Sequence, residues 1–320
     1  MKALVAGFIL IALSGAAVLW HRLHHSATPS ASPAASKAQN PERIALCMVW
    51  KAQRGNASVW LCGSIHVMRE SDYPLPAPYE QAFSEAKLIV MELTQGDAND
   101  RKMREQLLAS GSLPDGKRLQ EVISLQAREA IESWGQSSGI GMEKLQPMKP
   151  WRAALEITAA TANRHGYRSS LGIERHFAAK SGDRRSAGLT TPEHQFSLFD
   201  KVEPALQEQM LLRAIAEDGE DGSLREARTT AWREGDAARL AALLDESMRD
   251  YGPLHKRLFY DRNAEWLPAI ERYLDGTETA MVLVGAGHLA GPGSLIDLLA
   301  QKGVTLTQME YRTTRPARAR

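Results

Sequence analysis

A chain of 320 residues with 43% hydrophobic and 24% charged side chains is long enough to bury a substantial core, and it has the composition of an ordinary globular protein. Thirty-nine Lys and Arg against 38 Asp and Glu leave a net charge of +1, so no general basic field exists to recruit nucleic acid. Four arginines, Arg312, Arg315, Arg318 and Arg320, crowd the end, and residues 311–320 read as a short solvated basic tail.

Lys2 precedes an uncharged run over residues 3–20, the lower limit for crossing a bilayer and longer than most signal-peptide cores. Residues 1–25 are therefore expected to be an uncleaved signal-anchor, with a cleaved signal peptide as the alternative. Residues 26–41 are rich in Ala, Ser and Pro and read as a linker, which places the folded domain at 42–310 on the extracytoplasmic side. In a Gram-negative cell that side is the periplasm.

The domain opens with strand-like segments at 44–50 and 58–62, joined through Gln53-Arg54-Gly55-Asn56. A turn centred between Arg54 and Gly55 would place Cys47 and Cys62 opposite each other, where an oxidising compartment permits a disulfide. A shifted register leaves two buried thiols. The second strand runs into Gly63-Ser64-Ile65-His66. A helix at 77–86 and a strand at 87–91 ending in Glu92 follow, and this strand–helix–strand unit predicts two parallel neighbours.

Residues 101–162 are helical, interrupted at Gly111–Gly116, Gly135–Gly141 and around Pro147 and Pro150. A strand is expected at 185–189 and helices at 192–218, 223–233, 237–248 and 253–274. A last apolar strand at 279–284 enters Gly285-Ala286-Gly287-His288, before a helix near 294–301 and a strand at 304–308. The pattern is α/β: a mixed central sheet flanked by helices, with a large helical insertion.

Three apolar strands thus end in His66, Glu92 and His288. Carboxyl ends of strands form the ligand crevice of open α/β sheets, and neighbouring strands lie about 4.8 Å apart, so such side chains can converge. Two imidazoles and a carboxylate make an open-sided set for Fe, Mn, Co or Zn. The competing reading is a pair of hydrogen-bonded histidines with no shared site. No His-Glu-x-x-His, Gly-x-Ser-x-Gly, Cys-x-x-Cys or phosphate-binding loop is present. Gly285-Ala286-Gly287-His288-Leu289-Ala290 imitates a dinucleotide fingerprint, but Gly291-Pro292-Gly293 delays the helix that such a site needs.

The segments Trp60-Leu61-Cys62-Gly63-Ser64-Ile65-His66-Val67, Tyr73-Pro74-Leu75-Pro76, Ile89-Val90-Met91-Glu92, Lys149-Pro150-Trp151, Leu171-Gly172-Ile173-Glu174, Asp261-Arg262-Asn263 and Val284-Gly285-Ala286-Gly287-His288-Leu289-Ala290-Gly291 resemble the TraB/PrgY/GumN family, related to the Tiki proteases. The resemblance implies an erythromycin-esterase/ChaN-like fold and a metal-dependent peptidase favouring Mn or Co, with Zn as a further candidate. It implies His66 and His288 as metal ligands, and Glu92 as third ligand or general base. Arg262 would bind a substrate carboxylate or an oxyanion, or else form an ion pair with Glu92. Asn263 would orient a ligand, and Glu174 stands where relatives usually carry aspartate. The expected partners are a peptide or small-molecule substrate, and a membrane through the N-terminus. Gly188-Leu189-Thr190-Thr191 replaces the common Gly-Leu-Glu-Thr and loses a carboxylate, which suits a non-catalytic peptide- or ligand-binding regulator; His194, four residues on, is expected on a helix surface, with compensation for the loss as the alternative. A haem-type or metallophore binder has only fold analogy behind it.

Overall fold

The computed structural model describes residues 42–314 except 56, 95–96 and 219–222, and not the side chains of 97–99. The expected signal-anchor, the linker and residues 315–320 lie outside the described residues. Among the described residues no helix is long and apolar enough to cross a membrane.

Six strands form one mixed sheet: β1 (Arg43–Arg54), β2 (Ala57–Ser64), β3 (Leu88–Met91), β4 (Arg185–Gly188), β5 (Ala280–Gly285) and β6 (Thr305–Thr313). Their order is β4-β3-β5-β2-β1-β6, with β4, β3, β5 and β2 parallel and β1 antiparallel to both its neighbours. The parallel neighbours expected of β2 and β3 are not formed. Instead β5 enters between them, pairing Ser64 with Gly285 on one side and Met91 with Leu283 on the other. Its run Ala-Met-Val-Leu-Val-Gly is buried throughout, and a strand with no polar face can be satisfied only at the centre of a covered sheet.

The β1–β2 register also differs from the sequence reading. Arg54 pairs with Ala57 and Val49 with Cys62, and Gly55 takes the left-handed conformation (φ +59°) that the tight turn requires. The turn centres one residue later than expected, so Cys62 faces Val49 and not Cys47. Both cysteines are free buried thiols. Cys47 Sγ donates to the Met309 carbonyl at 3.4 Å, and burial pushes its pKa up to about 12.

At the far edge, β6 continues to Thr313, beyond the expected end at 308 and into the segment assigned to a tail. The amino-terminal part of β1 reaches it, pairing Ile44 with Arg312 and Ala45 with Tyr311, and Arg312 bonds Glu42 at 3.1 Å.

The helical insertion between β3 and β5 has a core of its own around Trp151, which is fully buried and stacks on Phe196 and Phe199 at 6.2 and 5.8 Å. Pro150 begins the helix Pro150–Arg164, where its missing N–H is harmless. Lys149 Nζ and Trp151 Nε1 both donate to Asp200 Oδ1, at 2.6 and 3.3 Å. The Lys-Pro-Trp motif therefore joins this helix to Pro192–Asp200 and builds the insertion, away from the strand-end histidines.

Candidate active site at the strand ends

Because β5 lies between β2 and β3, the chain leaving each of the three strands arrives at the same edge of the sheet. A Cβ on Gly285 would stand 3.2 Å from Glu92 Oε1, 3.4 Å from His66 Nε2 and 3.7 Å from His288 Cδ2. The three side chains surround one glycine, and the missing Cβ makes their room. His66 follows β2, Glu92 follows β3, and His288 sits in the short turn Ala286–Leu289 after β5. The pattern Gly-x-x-His supplies both the opening and the ligand-type side chain.

Arg262 and Asn263 come from the long helix behind β2. That helix is α over Gly252–His255, widens to a π turn over Lys256–Asp261, and returns to α at Arg262–Leu274. Such widened turns re-aim the residues that follow them, and the two residues that follow here are 2% and 1% exposed and turned to the site. Arg262 Nη2 donates to Glu92 Oε2, and the Gly285 N–H donates to Glu92 Oε1 at 2.7 Å. Arg262 Nη1 lies 3.3 Å from His288 Nε2, and its guanidinium covers the Trp266 ring at 4.3 Å. The ion pair with Glu92, one of the two roles foreseen for Arg262, is the one formed.

Both imidazoles are anchored through Nδ1. His66 Nδ1 donates to Glu174 Oε1 at 2.7 Å, and the Ser64 hydroxyl donates to the same oxygen. His288 Nδ1 donates to Asn263 Oδ1 at 2.7 Å, while Asn263 Nδ2 donates to the Gly293 carbonyl at 2.9 Å. The Trp266 and Phe259 rings confine His288 at 4.6 and 5.1 Å. With Nδ1 carrying the proton, His288 presents an Nε2 lone pair, in agreement with the Arg262 contact, whereas His66 presents one only after it gives up its second proton.

Burial and local charge separate the titrations. Burial alone would lower the His66 pKa, but the charge and hydrogen bond of Glu174, helped by Glu92, push it up to about 8. His288 falls to about 3, because burial dominates; Glu92 opposes it, and Arg262 and His66 add to the lowering. Glu92 resists the upward push of burial through Arg262, the two histidines and the Gly285 N–H, and is held at about 2. Glu174 is also held below the usual carboxylate range, since His66 and Ser64 outweigh its burial.

Glu174 sits in the first turn of the helix Ile173–Ser181, and the preceding glycine explains its reach. A Cβ on Gly172 would collide with the His66 carbonyl. Glycine lets the helix start pass directly over that backbone, so the Leu-Gly-Ile-Glu motif is a device for bringing Glu174 to His66. Gly172→Ala is expected to cost about 1–3 kcal/mol through overpacking and to move the helix start away. An NMR titration of His66 should then show its pKa falling from about 8 towards 6.5; an unchanged titration would exclude this role.

The threonine at the family's usual glutamate position lies beside the site. The Thr190 N–H donates to the Glu92 carbonyl at 3.0 Å. His194 lies, as expected, on the surface of the helix Pro192–Asp200, with Nε2 3.2 Å from Glu265. Gly291-Pro292-Gly293 postpones the next helix to Leu295, and the Gly285 N–H already serves Glu92, so the apparent dinucleotide fingerprint offers no phosphate cradle.

Sequence reasoning missed Ser64, the Gly285 N–H and the aromatic walls of His288. Ser64 stood next to a quoted glycine and was legible as a polar residue at a strand end. Trp266 and Phe259 read only as the apolar stripe of a helix.

The TraB/PrgY/gumN family description matches residues 48–308, which include every one of these residues. The chain belongs to the TraB/PrgY/gumN family. An uncharacterized protein of Treponema pallidum (strain Nichols) is 23% identical over 271 residues, spanning 80% of each chain. No solved structure matches.

The donor chemistry at this TraB/PrgY/gumN site suits a divalent cation: two imidazole Nε2 atoms, each with Nδ1 tied to an acceptor, and a carboxylate. Each Glu92 oxygen accepts one of these bonds and keeps a lone pair. Among the described residues no three His, Cys, Asp or Glu side chains stand together at metal-holding distance, and Arg262 lies between Glu92 and His288.

Proposed function

We propose that this TraB/PrgY/gumN chain is a metal-dependent hydrolase of the peptidase class, working on the extracytoplasmic side, with an erythromycin-esterase/ChaN-like fold. One observation carries the reading. Two histidines from opposite ends of the chain hold Nδ1 to an acceptor and turn Nε2 towards a shared carboxylate.

His66, His288 and Glu92 are the residues that would hold the cation, with Mn or Co favoured over Zn. A cation bound there supplies Lewis acidity towards a carbonyl. Glu92, held at about 2, is a carboxylate at neutral pH and too weak a base to be the best proton acceptor, so its role is ligation. Arg262 offers fixed positive charge where an oxyanion would develop. Glu174 and Asn263 keep the two rings in the tautomer that ligation needs.

The second reading, a binding protein without turnover, is favoured by the closed Arg262–Glu92 ion pair and by Thr190. Adding Mn or Co to the purified full chain should raise its melting temperature by several degrees, and His66→Ala or His288→Ala should each remove the shift. The same metal should support hydrolysis of a peptide mixture, with a loss of at least a hundredfold in Glu92→Gln. A metal-induced shift without turnover would support the binding protein. No shift with Mn, Co or Zn would sink the metallohydrolase.

A further inference from the structure

A cleft open to solvent begins at His66 and Gly285 and runs beneath the helix Ser223–Arg233. That helix turns one face to it, with Arg225, Arg228, Thr229 and Trp232 at the spacing of successive turns. Trp232 fixes the helix to the site by donating to the Gly63 carbonyl at 2.8 Å. Most of the wall is apolar, as Ile65, Val67 and Leu244 illustrate, and among the described residues no acidic side chain lines it.

Arg228 is 8% exposed, and its Nε finds no hydrogen-bond partner; nor does that of Arg225. Among the described residues neither guanidinium makes an ion pair with a carboxylate. Glu217, whose charge acts on both guanidinium groups from a distance, stands 3.8 Å from Arg213 Nε. Burial pushes the Arg228 pKa down to about 10, Glu217 opposing it and the charges of Arg225 and Arg213 adding to it. A buried guanidinium without an anion is costly, and one that opens into a cleft can recover that cost from a ligand.

We propose that Arg228, with Arg225, forms a subsite for a carboxylate of the ligand, placing that carboxylate at one end of the cleft and the chain leading from it over His66 and Gly285. Planar guanidinium forks match a carboxylate, and the apolar walls accept the side chains between the two ends. The proposal rests on the hydrolase reading for its peptide substrate, although the subsite itself requires no turnover.

The test is calorimetric titration of the full chain with two pairs of probes. Trialanine and trialanine amide differ in the C-terminal carboxylate; acetyl-Ala-Glu-Ala-amide and acetyl-Ala-Gln-Ala-amide differ in an acidic side chain. In at least one pair the acid is expected to bind tenfold or more tighter, and the pair identifies which carboxylate is recognised. Arg228→Leu should bring that pair to within twofold, and Arg228→Lys should retain part of the preference. Arg225→Leu, at a less buried position, should reduce the preference even where Arg228→Leu fails to fold. Equal binding or no binding of all four probes, or a preference that survives both leucine variants, would overturn the subsite. Acid selectivity without hydrolysis would defeat only the hydrolase reading, and hydrolysis without selectivity only the subsite.

Discussion

Replacing Arg262 by methionine is expected to lower the unfolding free energy by about 3–5 kcal/mol, because it strands Glu92 as a buried charge. The two side chains are 3% and 5% exposed, and among the described residues no other cation hydrogen-bonds Glu92. The Gly285 N–H alone cannot replace the guanidinium, and the carboxylate must take up a proton or draw in water. The hydrogen bond to the Leu258 carbonyl and the cover over Trp266 are lost with the same change, though methionine restores much of the volume. Urea denaturation of wild type, Arg262→Met, Glu92→Gln and the double variant measures the coupling directly. The double variant should recover at least half of the loss. A loss below about 1 kcal/mol in Arg262→Met would mean that the pair is a weak contact and that Glu92 is free to ligate without it.

Metal-free protein is expected to be most stable near pH 6.5 and to weaken on both sides, because the two histidines are shifted in opposite directions. His288 has a folded pKa of about 3 against 6.5 in the unfolded chain. Between these values only the unfolded state binds the proton, so stability falls as pH drops from 6.5 towards 3. Glu92, at about 2 against 4.5, adds to this loss below pH 4.5. His66 has a folded pKa of about 8, so its contribution is complete below 6.5 and disappears as pH rises through 8. Each limb has a maximum slope of about 1.4 kcal/mol per pH unit for one proton. Denaturation in chelator between pH 4.5 and 9 reads both limbs. His288→Gln should remove the acid limb above pH 4.5 and His66→Gln the alkaline one. A flat profile from pH 5 to 6.5 in wild type would show that His288 is charged in the folded state, which is incompatible with an Nε2 lone pair facing Arg262.

The sheet-forming segments and the convergence of three strand ends were legible because both follow from local pattern. An apolar run that stops at a polar residue marks the end of a buried strand, and this placed His66, Glu92 and His288 correctly at one edge. The two Gly-x-x-His motifs carried a second local signal, the need for a missing Cβ beside the functional groups. The Arg262–Glu92 pair was foreseen as one of two roles, since a buried carboxylate has few stable alternatives to a partner.

What the linear chain could not reveal is which strand lies at the centre and which acceptor holds each ring. β2 and β3 read as neighbours because crossover units usually are, yet the claim of β5 on the central position depends on competition among all the strands. The Cys47–Cys62 pairing failed by one residue in the position of a turn, and nothing in Gln53-Arg54-Gly55-Asn56 distinguishes the two centres. Glu174 was singled out only through the family resemblance, and the close passage of Gly172 over His66 is what brings it to the ring. Arg225 and Arg228 fall in the helix expected at 223–233, and nothing in the sequence singled them out. Their burial is decided by the sheet edge against which that helix packs, more than a hundred and fifty residues earlier in the chain. Periodicity is set by neighbours in sequence and survives in it, whereas partners brought together by packing depend on the whole fold.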